Sequence, residues 1–378
     1  MSDKIIKILY YIIHPEEKLD QVVEYKQVSS LFKAHSLEPF LWYAKKLGLV
    51  ICTSEEEKEI NFLHQTSIYR TMVQEEEYKF IKKELSKAEI AFLPLKGFII
   101  RDCYPSIDMR NMADVDILVQ IKELKKIKTI MKSLNYDLVK QGGNHDVYQK
   151  KPCMNVEIHR DMIDESIEFS NYYKDIWKKI EIKENGSECF LKDEDNYLFI
   201  IAHSAKHYYA GGIGVRFVLD IYFYLKKYKS LDREYIDKEL EKLNLKEYEK
   251  RIFNLANGWF DKETLTVDDA VVGDYILSSG IYGRIDNAVQ AAIANDDSSK
   301  SIKSLKRKYF FKKAFPSFKE MKRKYPSLKI WFLLLPFYYM HRIIKAIFKG
   351  NAIEEVKQLN KVDEVKIKSQ KNIKEKTK

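Results

Sequence analysis

Residues 108–119 read DMRNMADVDILV. The end of this stretch, DVDILV, has the composition of a short buried strand that opens on two aspartates, Asp114 and Asp116. Side chains alternate faces along a strand, so residues two apart share a face. Asp114 and Asp116 therefore point one way, while Val115 and Ile117 point into a core. Two carboxylates held side by side repel. They become favourable together around a cation, most simply Mg²⁺, which takes one or two carboxylates plus phosphate oxygens of a substrate. The competing reading makes Asp114 a turn residue and Asp116 the solvent-facing start of a strand. The stretch alone leaves both open.

Working outward narrows the choice. Upstream, EIAFLPLKG (89–97) is short, apolar and interrupted by Pro94, which predicts a buried strand running into a turn at Lys96-Gly97. FIIRDCY (98–104) predicts a short helix, and IKELKKIKTIMKSLNY (121–136) predicts a longer one. Residues 146–162 read as a hairpin: VYQK, a turn at Lys151-Pro152, then CMNVEIH. Glu157 sits in NVEIH with Val156 and Ile158 on the opposite face. A carboxylate inside an apolar strand is costly to bury unless something uses it. If NVEIH pairs beside DVDILV, Glu157 joins the face of the aspartates. Three carboxylates then ring one site, an arrangement suited to two divalent ions in phosphoryl transfer. His159 shares the face of Glu157, placed to orient it or to touch substrate. Gly97 lets backbone approach a phosphate, and Lys96 supplies a point charge. Lys96 and Arg110 together would neutralise a triphosphate, although each taken singly also reads as a surface residue.

The rest of the chain is helical in pattern. Residues 1–88 form an N-terminal helical region in which Ser54 and Glu57 have the spacing of a capping box. Residues 89–190 form the α/β core. Residues 191–300 form a second helical region containing a strong helix from Asp193 to a stop at Gly211-Gly212. Low glycine and proline counts, 13 and 8 in 378 residues, fit such a mostly helical chain. The expected fold is thus α+β and predominantly helical, with a small mixed sheet flanked by helical regions. The four cysteines, Cys52, Cys103, Cys153 and Cys189, fit no zinc or redox spacing and read as free thiols of a reducing cytosol. The apolar N-terminus is interrupted by Lys7 and reads as a first helix rather than a leader.

The net charge of +10 is unevenly spread. Residues 301–350 hold 14 Lys or Arg against the single acid Glu320, so this segment carries +13 and the remainder −3. A basic segment interleaved with aromatics seeks an anionic surface, either lipid head groups or nucleic acid. The run 330–340 is too short to span a bilayer and is broken by Pro336. Residues 351–378, rich in lysine, read as frayed or disordered.

At this point a family resemblance emerges. The run LPLKGFIIRDCYPSIDMRNMADVDILV, with NVEIH some forty residues on, resembles the uncharacterised nucleotidyltransferase family of the polymerase-beta-like superfamily. The family pattern falls on Lys96-Gly97, Tyr104-Pro105, Arg110, Asp114, Asp116, Glu157 and His159. HSAKHYYAGGIGVRFVLDIYFYL resembles the family's paired helices, which places His203, Lys206, His207, Arg216 and Asp220 at the cleft. The wider superfamily carries Gly-Ser where this chain has Gly97-Phe98. That departure leaves phosphate contacts to backbone amides, Lys96 and Arg110. The histidines at 203 and 207 share a helix face. They read as zinc ligands lacking a third partner, as cleft residues beside Lys206 and Arg216, or as satisfied buried groups, with Arg216 and Asp220 an i,i+4 pair.

The resemblance implies a transferase dependent on Mg²⁺ or Mn²⁺. It would move a nucleoside monophosphate from a nucleoside triphosphate to an acceptor hydroxyl, with Asp114, Asp116 and Glu157 as metal-binding and catalytic residues. The tail resembles members encoded with bacterial polysaccharide genes. That predicts a cytoplasmic protein held peripherally at an anionic membrane surface through 301–349. Two other readings stand beside it: a non-catalytic membrane adaptor, and a toxin-type transferase modifying tRNA.

Overall fold

The computed structural model describes residues 3–17, 22–182, 186–281, 285–294, 301–329, 332–348, 356–357, 359–361 and 371–377. It is α+β and predominantly helical, as the sequence pattern predicts. Helices α1 (Asp3–Ile13), α2 (Tyr25–Ala34) and α3 (Glu38–Lys46) precede the long α4 (Ser54–Lys87). Two residue pairs interrupt the expected run of helices: β1 (Val23–Glu24) and β2 (Val50–Ile51) pair in parallel. The capping box of α4 is built one residue earlier than expected. Thr53 accepts from the Glu56 backbone, and the Glu56 carboxylate accepts from the Thr53 N–H.

The core follows as β3 (Phe92–Pro94), α5 (Gly97–Arg101), β4 (Val115–Val119), α6 (Leu124–Ser133), β5 (Asp137–Lys140), β6 (His145–Lys150) and β7 (Met154–His159). The five strands form one mixed sheet in the order β3-β4-β7-β6-β5. β5 was not legible in the sequence, because it is a mostly exposed edge strand without an apolar pattern. A short pair, β8 (Glu181–Ile182) and β9 (Cys189–Phe190), closes the region.

The sheet has two differently clothed faces. One packs on α4 and α6 through Ile81, Leu85, Ile127 and Met131, and takes Val115, Ile117, Val156 and Ile158 from β4 and β7. The other carries Asp116 and Leu118, and Leu118 belongs to the larger core shared with the helical lobe. That lobe is α7 (Asp193–Gly211), α8 (Val215–Lys227), α9 (Arg233–Leu243), α10 (Lys246–Phe260), α11 (Val267–Ser279) and α12 (Ile285–Ala294). Three acids, Asp193, Glu194 and Asp195, fill the first turn of α7, where they complement the helix dipole. Its end falls at Gly212, whose φ of +112° lies where side-chain-bearing residues rarely go.

The basic segment contains α13 (Ile302–Ala314), α14 (Phe318–Lys324) and α15 (Leu335–Phe348). No described helix is long and apolar enough to cross a membrane. Ile330 and Trp331 of the aromatic run lie outside the described residues, as do 351–355, 358, 362–370 and 378 of the lysine-rich end. The end that is described departs from the expectation of a frayed tail. Residues 371–375 are helical, 376–377 form a turn, and this end docks on the lobe, where the Lys376 carbonyl accepts from Arg251 and the Thr377 carbonyl from Tyr209. All four cysteines are free.

Candidate active site

The site is built at the N-terminal end of β4, on the face turned toward the helical lobe. β4 and β7 run parallel, with Asp116 opposite Glu157 and Leu118 opposite His159. The strand pairing on which the three-carboxylate reading depends is therefore present. Apolar alternation fixes it, because a slip of one residue would put Val156 and Ile158 on the polar face.

Asp116 is the most heavily engaged residue. It is buried, its Oδ1 accepts from Lys96 Nζ at 3.1 Å, and the same oxygen meets His159 Nε2 at 2.6 Å. Burial pushes its carboxyl upward, but Lys96 and the His159 hydrogen bond outweigh that and hold it well below the usual range. Asp114, one step outside the strand, has the opposite balance. Burial first, then the charges of Asp116 and Glu157, raise it to about 6. Burial also opposes the charge on Glu157, but the hydrogen bond with His159 draws it downward. The three carboxylates thus share one field, and two of them are kept charged only by neighbouring cations and hydrogen-bond donors.

Lys96 reaches this field through an unusual backbone. The expected Lys96-Gly97 turn puts the strain on the lysine: φ is +47° with ψ −101°, and Gly97 begins α5 in ordinary conformation. Such a conformation costs on the order of 1–3 kcal/mol and persists where the surroundings dictate it. Gly97 is required for space, since a Cβ there would lie 2.5 Å from Met112 Sδ and 3.2 Å from Arg110 Nη1.

Arg110 is not a free cation. It is buried, and its Nε and Nη2 donate to both oxygens of Asp220 at 2.7 and 2.8 Å. Tyr104 donates to the same Asp220 at 2.6 Å. This clamp ties the loop before β4 to α8. It corrects two expectations: Arg110 serves first as a partner of Asp220, and Asp220 pairs with Arg110 rather than with Arg216. Arg216 instead donates from Nη1 to the Asn111 carbonyl at 3.3 Å, and its buried Nε has no hydrogen-bond partner.

Helix α7 supplies a wall opposite the carboxylates. Lys206 is lowered to about 8, by burial first and then by Lys96, with Asp116, Asp164 and Glu157 acting in the other direction. Burial, then Lys96, holds His203 neutral, and burial with Lys206 pushes His207 down to about 3. Their Nε2 atoms lie 3.2 Å apart. The charge of Lys96 is thus felt by all three of these α7 groups.

One participant escaped the sequence reading. His145, on β6, pairs opposite His159, and its Nε2 lies 3.5 Å from Glu157 Oε2. His159 Nε2 lies 3.4 Å from that same oxygen. His145, Glu157 and His159 form a group whose ligand atoms all lie within 4.8 Å of one another, and Asp116 adjoins it through His159. The loop spans 151–153, so Lys150 pairs with Met154 and His145 with His159; the two-residue turn expected at Lys151-Pro152 would have set His145 across from Ile158 instead.

The site thus combines a small mixed sheet bearing paired carboxylates with a lysine-glycine junction upstream. The chain belongs to the uncharacterised nucleotidyltransferase family, which matches residues 22–261 and so spans α2 to α4, the core and α7 to α10 of the lobe. No curated protein and no solved structure matches it.

Proposed function

We propose that the chain moves a nucleoside monophosphate from a nucleoside triphosphate to an acceptor hydroxyl, in dependence on Mg²⁺ or Mn²⁺. The observation that carries this is the β4–β7 register, which sets Asp116 beside Glu157 with Asp114 adjoining. Among the described residues the ligand group within 4.8 Å is His145, Glu157 and His159, so a divalent ion at the aspartates would draw Asp114 and Asp116 toward Glu157; the like charges that help raise Asp114 to about 6 are a surplus such a cation relieves. Asp114, Asp116 and Glu157 would hold it, and it would neutralise the charge developing on the reacting phosphate. Lys96, Lys206 and Arg216 would receive the triphosphate, with backbone at Gly97 approaching it closely. Lys206 is under electrostatic pressure from Lys96, which an anion between them removes. His159 holds Asp116 and Glu157 in place. Arg110 and Asp220 anchor the loop that carries Asp114. In the reaction the acceptor oxygen bonds to the α-phosphorus, the bond to pyrophosphate breaks, and the hydroxyl proton passes to Glu157.

The test is incubation with triphosphates labelled at the α-phosphate, in Mg²⁺ or Mn²⁺, with acceptor fractions of glycan, lipid-linked glycan and RNA. The reading expects label in an acceptor with release of pyrophosphate, and loss of both in Asp116→Asn. Transfer of the γ-phosphate, or label transfer unchanged in Asp116→Asn, overturns it.

The acceptor favoured by the tail is one presented at a membrane. Phe311, Phe315, Leu333, Phe337 and Met340 are all about half exposed or more, in a segment of charge +13. Exposed apolar side chains set among lysines are the composition of a segment that lies in an anionic interface.

A further inference from the structure

We infer that His145, Glu157 and His159 form a three-ligand site for a zinc-class divalent cation, distinct in donor chemistry from the oxygen site at the aspartates. The inference deepens the metal-dependent reading above by assigning the ion class at its second position.

Geometry comes first. Glu157 Oε2 lies 3.5 Å from His145 Nε2 and 3.4 Å from His159 Nε2. Ligands bound at about 2.0–2.2 Å to a tetrahedral ion stand about 3.4 Å apart, which matches these two spacings, and the third, between the imidazoles, lies within 4.8 Å. Two imidazoles and one carboxylate, with the fourth position open toward Asp116, are the donor set of a zinc site that retains a position for water or substrate. Mg²⁺ prefers six oxygens, and imidazole suits zinc, cobalt and nickel.

Protonation comes second. Lys140 Nζ lies 3.0 Å from His145 Nε2. A lysine ammonium can only donate, so Nε2, the nitrogen 3.5 Å from Glu157 Oε2, is the atom bearing the lone pair. Lys140 is exposed on an edge strand, so an ion bound at His145 Nε2 would displace it from that nitrogen. His159 presents the same nitrogen, Nε2, which here donates to Asp116 at 2.6 Å and would give up that proton to bind an ion; Asn144 lies beside its other nitrogen at 3.4 Å. The Asn144 amide nitrogen also donates to the Asp161 carbonyl at 3.0 Å, so supporting a metal-bound imidazole from Nδ1–H would require the amide to turn and give up that bond.

Fold comes third. The three residues lie on two adjacent strands of one hairpin with a fixed register, so the site does not depend on a loop.

The test uses Co²⁺ as a spectroscopic probe on the full chain. Wild type is expected to bind one Co²⁺ with the intense visible absorption of tetrahedral coordination. Zn²⁺ displaces it, and a large excess of Mg²⁺ does not. His145→Gln, folded by circular dichroism, is expected to lose about 100-fold or more in Co²⁺ affinity. Asp114→Asn, which leaves all three ligands, keeps the spectrum. Octahedral weak absorption, displacement by Mg²⁺, or an unchanged spectrum in His145→Gln overturns the assignment. The two claims fail separately. Absence of nucleotide transfer with the Co²⁺ spectrum intact sinks the transferase reading alone. Mg²⁺-dependent transfer with no tetrahedral Co²⁺ band sinks the zinc-class site alone.

Discussion

Asp116 shows how one residue gathers a site. Its Oδ1 takes a lysine at 3.1 Å and an imidazole at 2.6 Å, so the charge is kept in a buried place by partners that a metal would replace or join. Asp116→Asn removes that charge while leaving the shape, and we expect transfer to fall roughly 10³-fold, the scale of losing one major electrostatic stabiliser. A fall of less than tenfold in a steady-state assay would contradict its role. Arg110 and Asp220 make a different prediction. A buried bidentate pair with one member removed leaves a stranded charge, so Asp220→Asn should cost about 3–5 kcal/mol in urea denaturation. Replacing both, as Arg110→Met with Asp220→Leu, should cost less than the single change. The sequence marked Arg110 as a phosphate ligand because spacing along the chain says nothing about α8, more than a hundred residues later, where its partner waits.

Elements meet at two points that can be tested by stability. His35 ends α2, is buried, and accepts from the Val215 N–H at 3.2 Å through Nδ1. Burial pushes it down to about 4, against about 6.5 for an unfolded histidine. The unfolded chain therefore takes up a proton between these values while the native chain does not. Stability is complete above about pH 6.5 and falls as pH drops toward 4, by roughly 3 kcal/mol from this group. Denaturant midpoints at pH 7 and pH 5 should differ more in wild type than in His35→Gln, and equal differences would contradict the assignment. Gly212, at the α7–α8 junction, leaves no room for a methyl: a Cβ there would lie 2.3 Å from Ser279 Oγ, at a φ of +112°. Gly212→Ala should cost at least about 2 kcal/mol, read from the same denaturation curves. The sequence placed this helix stop correctly, because consecutive glycines end a helix for local reasons. It misplaced the cap of α4 by one residue, since Thr53 and Ser54 are both suitable caps and only the backbone decides between them.

At the scale of the whole molecule, what the sequence revealed was what period and alternation encode. The apolar faces of β4 and β7 were readable residue by residue, and the carboxylate face followed. His145 was not, because its place depends on the length of the hairpin loop; the Arg110–Asp220 clamp and the docked end at 371–377 were not, because each depends on a partner brought in by tertiary packing. The basic segment adds a prediction of its own. The full chain should sediment with anionic vesicles, bind neutral ones poorly, and release as salt screens the surface. Phe337→Glu with Met340→Glu should weaken vesicle binding about tenfold or more, since apolar insertion and charge act together. Binding indifferent to lipid charge would remove the membrane from the account.

The central claim is that the face formed by Asp114, Asp116 and Glu157 binds a nucleoside triphosphate through a divalent ion. Calorimetric titration with non-hydrolysable triphosphate analogues tests it without knowledge of the acceptor. The account predicts binding of at least one analogue in Mg²⁺ or Mn²⁺, loss of that binding in EDTA, and loss again in Asp116→Asn. Binding that survives both the chelator and the substitution, or no binding of any analogue in either metal, would contradict it.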